Sequence, residues 1–213
     1  MDSTLRTFWS TFDERTRHGE LPAVLPAPSG VFTVDDGVRL LKRLVPQRDL
    51  SINVGGRLDE SAKLPDPPAD ACDYERFVAD LLLLNDTKAA TFTRDYCLAR
   101  DLEIAARARG FISGYIQRRG LPMPGVNAVF IGGSYRATWI GLHSDFCATF
   151  LIPVLGRKRM LIWPPESLSG ESLVRLPALN GVCYGHVDIT PFREGADLHE
   201  AHAGELLYIP PRW

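Results

Sequence analysis

Thr149-Phe-Leu-Ile-Pro-Val-Leu-Gly156-Arg-Lys158-Arg-Met-Leu-Ile-Trp163-Pro-Pro165 is the stretch whose reading decides the fold class. Two apolar runs of strand length are separated by a glycine turn and closed by a double proline, which reads as strand, turn, strand over Thr149–Leu155 and Arg159–Trp163. The same pattern extends outward. Val126–Ile131, Tyr135–Leu142 and Glu205–Ile209 are short apolar runs punctuated by Gly, Pro and Asn, and each predicts a strand. Upstream the period changes. Leu5, Phe8, Trp9 and Phe12 recur at helical spacing. Asp35 and Asp36 open a helix carrying Val38, Leu40, Leu41 and Leu44, stopped by Pro46. Tyr74–Leu84 and Leu98–Arg119 are further helices, the second interrupted by Gly110 and Gly114; Leu50–Val54 alternates as one short strand. Leu21–Gly30 and Leu64–Asp70 are proline-rich connectors. The expected chain is mainly β with a helical N-terminal half. Residues 1–120 form a helical region packed on the core, and residues 121–213 form a β-barrel or jelly roll with helices outside it.

Composition narrows the function classes. At 213 residues, with 45% hydrophobic and 23% charged residues, the chain has ample material for a core. A net charge of −2 without a clustered basic surface argues against a nucleic-acid partner. No basic segment followed by an apolar run opens the sequence, so no secretion signal is expected. The longest apolar stretch, Leu81–Leu84, is far too short for a bilayer, so no membrane partner is expected either. Four cysteines (Cys72, Cys97, Cys147, Cys183) show no paired spacing, which suits a reducing cytoplasm better than a disulfide scaffold or structural zinc.

The chemistry concentrates at Gly141-Leu-His143-Ser-Asp145. On an extended segment, residues two apart share a face and lie about 7 Å apart along the backbone. His143 and Asp145 can then hold adjacent positions of one metal ion. A two-His, one-carboxylate set leaves three positions open, as Fe(II) oxygenases require. A second His-x-Asp, His186-Val-Asp188, competes with it. Fifteen positions after His143 stands Lys158, placed by alternation on the face opposite Arg157 and Arg159, and His186-Val-Asp188 has no cation at that spacing; the spacing by itself leaves both copies open. His199 and His202 fall in Asp197-Leu-His-Glu-Ala-His-Ala-Gly204, which reads as a polar loop.

The blocks Gly141–Asp145, Gly156–Pro165 and Gly204-Glu-Leu-Leu-Tyr208-Ile-Pro210-Pro-Arg-Trp213, in this order, resemble the metal strand, co-substrate strand and distal-histidine strand of the JmjC-type (cupin-like) Fe(II)/2-oxoglutarate oxygenases. The resemblance covers about Gly110–Trp213. It implies a double-stranded β-helix, a jelly roll of two four-stranded sheets with iron between them. It implies His143 and Asp145 as metal ligands and Lys158 as the cation for the distal carboxylate of 2-oxoglutarate. It adds Thr149 as a polar co-substrate contact. Relatives carry a co-substrate-binding Thr three positions before the metal His; this chain has Ile140 there, leaving Thr138 or Tyr135 as substitutes. In the family the last block runs on into Trp-His or Trp-Trp-His, so the third ligand is expected just beyond Trp213, and the chain reads as truncated before it.

The implied activity is oxidative decarboxylation of 2-oxoglutarate to succinate and CO2, coupled to hydroxylation of a substrate C–H bond. Demethylation results when the carbon is an N-methyl. The expected substrate is an amino-acid side chain, free or within a peptide or protein. The alternatives are a tailoring hydroxylase of a small natural product and a non-catalytic cupin-like binding or scaffold module. A second copy of the chain, as a homodimer, is the one further partner considered.

Overall fold

Phe8, Trp9 and Phe12 are buried on one face of a single helix, as their spacing predicts. The computed structural model describes residues 3–121, 125–136, 138, 140–167, 183–185 and 188–213. From the N-terminus come α1 (Ser3–Arg15), β1 (Ala23–Pro26), α2 (Val34–Leu44), β2 (Ser51–Val54), β3 (Arg57–Leu58), α3 (Tyr74–Leu84), β4 (Ala90–Arg94) and α4 (Leu102–Arg119). They are followed by β5 (Phe130–Ser134), β6 (Leu142–His143), β7 (Thr149–Leu151), β8 (Arg157–Ile162), β9 (Cys183–Gly185), β10 (Asp197–His202) and β11 (Glu205–Ile209). Two compact units result: residues 1–31, 110–122 and 140–213 form the first, and residues 32–109 and 123–139 the second.

In the first unit, β11 is the centre of an antiparallel sheet, β1-β11-β7, with Val24 opposite Leu207, Phe150 opposite Tyr208 and Thr149 opposite Ile209. Strand alternation gives this sheet two different faces. Phe150 and Tyr208 meet α1 and the second half of α4 in an aromatic layer. Its ring centroids lie 4.8 Å apart for Phe12–Tyr208, 5.0 Å for the stacked Trp9–Phe111 pair and 5.3 Å for Phe111–Phe150. On the other face Val24, Leu151, Leu207 and Ile209 pack with Met160, Ile162 and Ala201 of a second antiparallel sheet, β8-β10. Two sheets thus stack with a dry apolar layer between them.

Gly114 lets α1 approach α4. A Cβ there would fall 2.1 Å from Trp9 Nε1. Gly114→Ala, which would strengthen an isolated helix, is therefore expected to destabilise the protein by about 1–3 kcal/mol through overpacking. Urea unfolding checks this; an unchanged or raised midpoint would contradict it.

The second unit is built on the antiparallel sheet β3-β2-β4-β5. Ile52 and Phe92, directly paired, face Leu41, Val45, Phe77 and Leu81 from α2 and α3. Helix α2 starts with a reciprocal cap: Asp36 N–H donates to Thr33 Oγ1 at 3.3 Å, and Thr33 N–H donates to Asp36 Oδ2 at 2.9 Å. Thr33→Ala should cost about 1 kcal/mol, read as a lowered unfolding midpoint with function unaffected.

Asp36 and Asp101 are both buried and both paired with arginines: Asp36 with Arg39 and Arg107, Asp101 with Arg39 at 3.2 Å and Arg43 at 3.3 Å. Burial alone would raise the Asp36 carboxyl. The hydrogen bonds from Arg107 and Thr33 outweigh it and hold the group below the ordinary carboxylate value. Burial likewise pushes the Asp101 carboxyl up, and the Ile104 amide together with Arg39, Arg43 and the Glu103 amide outweigh it and hold the group below the ordinary value. A depressed native value means that both contribute stability above the unfolded carboxylate pKa, and that this is lost as pH falls through the native values. Acid titration of unfolding should show the loss setting in below about pH 4, and Asp36→Asn should flatten it.

The architecture is mixed α/β, with four α-helices and several antiparallel sheets among the described residues, rather than mainly β. The strand expected at Leu50–Val54 is β2, while β1, β3 and β4 are further strands within residues 1–120; β1 sits inside the proline-rich connector and pairs with the C-terminal β11. The strand expected at Val126–Ile131 starts only at Phe130 and runs to Ser134, in register with β4. No helix among the described residues is long and apolar enough to cross a membrane.

Candidate functional site

His143 occupies the end of β6, whose pairing with β9 carries a register irregularity at Leu142/His143. Such breaks re-aim a side chain relative to a regular ladder. Gly141, at φ +68°, turns its carbonyl to the imidazole, and His143 Nδ1 lies 2.9 Å from that oxygen. A carbonyl only accepts, so Nδ1 donates and carries the proton, which leaves the Nε2 lone pair available for a metal. Nε2 lies 3.9 Å from Asp145 Oδ2; the His143 side chain is 27% exposed and that of Asp145 52%. Adjacent ligands of a six-coordinate ion at about 2.1 Å each lie about 3.0 Å apart, and the pair, at 3.9 Å, is wider than that spacing by about 1 Å.

The third sequence block returns to the first. After β11 the chain turns through Pro210–Trp213, and the Arg212 amide donates to the Asp145 backbone carbonyl at 2.7 Å. Trp213 packs against the apolar layer between the two sheets. The segment following β11 is thus held beside the His143–Asp145 pair.

Lys158 lies on β8 directly opposite the buried Ala201 of β10. Directly opposed residues project to the same side of a sheet, so Lys158, Met160 and Ile162 share the interior face with Ala201. Arg157 and Arg159 project the other way and pair with Glu200, at 3.2 and 3.7 Å. The expected inward placement of Lys158 follows from this alternation. Thr149, opposite Ile209 on β7, is on the interior face of the facing sheet, and its hydroxyl is bonded to the Cys147 side chain.

The structure brings His143 and Asp145 together and turns Lys158 and Thr149 toward one shared interior. Thr138 is half-buried and belongs to the second unit, and β6 covers only Leu142–His143. Tyr135 belongs to the second unit as well. His186 lies outside the described residues. Its partner Asp188 is exposed, and Thr190 holds its carboxyl below the usual range through its hydroxyl and through its amide at 3.0 Å, so this carboxylate closes a turn. Among the described residues no group of three or more His, Cys, Asp or Glu side chains could hold a metal.

His199 and His202 do not sit in a loop. Both are on β10, with His202 turned outward to Glu200 at 3.1 Å and His199 turned inward opposite Met160. The polar sequence hid the strand. Its one legible sign is the alternation of outward Leu198, Glu200 and His202 with inward His199 and Ala201. Comparison of the chain with known family models gives no match, and comparison with curated proteins gives none either.

Proposed function

We propose that this protein is an Fe(II)- and 2-oxoglutarate-dependent oxygenase of the JmjC, cupin-like type that hydroxylates a C–H bond of an amino-acid side chain. The observation that carries this reading is the His143–Asp145 pair, its imidazole tautomer fixed by Gly141 and the backbone of Asp145 tied to the turn after β11. The strand order supports the jelly-roll reading. β7 pairs with β11, and β8 pairs with β10 nested inside it, both antiparallel. Nested pairs of this kind are what folding one long hairpin into two stacked sheets produces.

In this reading His143 Nε2 and Asp145 would hold the iron. Bound iron and 2-oxoglutarate supply the oxidising chemistry, with succinate and CO2 as co-products. The protein's own residues do the rest. Gly141 keeps the imidazole proton on Nδ1, so metal binding needs no proton loss from the neutral ring. Lys158, inward on β8, pairs its ammonium with the distal carboxylate of the co-substrate and sets its orientation. The apolar layer of Leu151, Leu207, Ile162 and Trp213 excludes water from the interior these groups share. Acidic net charge and the absence of a basic cluster favour an amino-acid, peptide or protein substrate over nucleic acid.

The test is succinate formation by the full-length protein supplied with Fe(II), 2-oxoglutarate and oxygen, alone and with amino-acid and peptide mixtures. Iron-dependent succinate release, stimulated by one substrate class, is the expected result. No succinate under any of these conditions, from protein shown to be folded, would contradict it.

A further inference from the structure

The imidazole of His199 is half-buried and its Nε2 atom fully so, with no hydrogen-bond partner among the described residues. Native proteins rarely leave a buried ring nitrogen unsatisfied, and each instance calls for a missing partner. Its neighbours on that face of the sheet are the apolar Met160 and Ala201 and, diagonally, Lys158. Lys158 is opposite Ala201 and His199 is opposite Met160, so the two side chains are diagonal neighbours on one interior face, within reach of a common ligand.

We propose that His199 is the neutral half of the distal-carboxylate anchor, its Nε2–H donating to the same co-substrate carboxylate that pairs with Lys158. This rests on the oxygenase reading above. A charged partner and a neutral donor together fit one carboxylate: Lys158 balances its charge, and a second donor fixes its rotation. Burial pulls the His199 ring below the ordinary imidazole value, against the opposing effect of Asp197, so the ring is uncharged at neutral pH and acts as a donor rather than a second cation. Ile140, at the position where a hydroxyl would serve, provides no donor. His199 makes good that loss from a different strand.

The experiment measures calorimetric binding of 2-oxoglutarate and of 2-oxobutyrate, which lacks the distal carboxylate, to full-length protein loaded with Mn(II). His199→Phe keeps the ring volume and removes the donor, and His199→Gln keeps a donor. His199→Leu replaces the Phe variant if that ring is not accommodated. The expected result is a weakening of 2-oxoglutarate by about ten-fold or more in the Phe variant, little change for 2-oxobutyrate, and recovery of most of the loss in the Gln variant. Equal weakening of both keto acids would show a merely structural role and overturn the proposal, as would unchanged binding of both. Binding by the wild type with unchanged variants would sink this inference alone. A wild type that binds neither keto acid would sink the oxygenase reading, and this inference with it.

Discussion

His143→Ala is expected to leave the protein without its iron. Both proposed ligands lie among the described residues, and the His143 ring is held by the 2.9 Å bond from Nδ1 to the Gly141 carbonyl, which leaves Nε2 for the proposed metal. Loss of an outer-shell partner alone typically lowers metal affinity about 10- to 100-fold, so removal of the ligand itself should exceed that and abolish succinate formation. His186→Ala is the control. If the choice between the two His-x-Asp sequences is right, that variant keeps its metal content. Metal analysis of both proteins after dialysis against limiting iron decides it, and equal loss in the two would overturn the assignment.

Lys158→Ala should separate co-substrate binding from metal binding. A charge-assisted hydrogen bond is typically worth about 1.5–3 kcal/mol, so the 2-oxoglutarate requirement should rise roughly 10- to 150-fold while iron content stays near that of the wild type. Lys158 belongs to no metal pair, and its side of β8 is the interior one, opposite Ala201. Succinate release that is unchanged at limiting 2-oxoglutarate would show that the ammonium serves packing or solvation instead. Lys158→Arg is informative beside it, because a planar guanidinium cannot substitute freely for a compact ammonium in a fitted pocket.

What the sequence made legible follows from periodicity. The phase of Lys158 against Arg157 and Arg159 and the bounds of β11 at Glu205–Ile209 depend on local alternation, which one sequence displays directly. The aromatic face of α1 was legible for the same reason. His143 ends β6 and Asp145, two positions on, lies past it, so their approach does not come from one strand face. What stayed hidden depends on tertiary partners. β10 is polar on its outer face because Glu200 there answers Arg157, Arg159 and His202, so it reads as a loop until β8 is placed beside it. β1 lies in a proline-rich connector and becomes a strand through its pairing with β11, more than 170 positions away in sequence. The apolar run Tyr135–Leu142 reads as one strand, and only its last residue joins β6. His199 shows the cost of a missed strand: once β10 was read as a loop, its inward phase could not be seen.

Linkage between metal and co-substrate tests the central claim most directly. If 2-oxoglutarate binds both the metal held by His143 and Asp145 and the ammonium of Lys158, each ligand must tighten the other by the same factor. Titration of Mn(II) into the full-length protein, with and without 2-oxoglutarate, measures that factor from both sides. The expected result is one Mn(II) per chain, bound more tightly when 2-oxoglutarate is present, with the effect absent in His143→Ala and reduced in Lys158→Ala. Mn(II) binding that is absent, or that is indifferent to 2-oxoglutarate, would contradict the account.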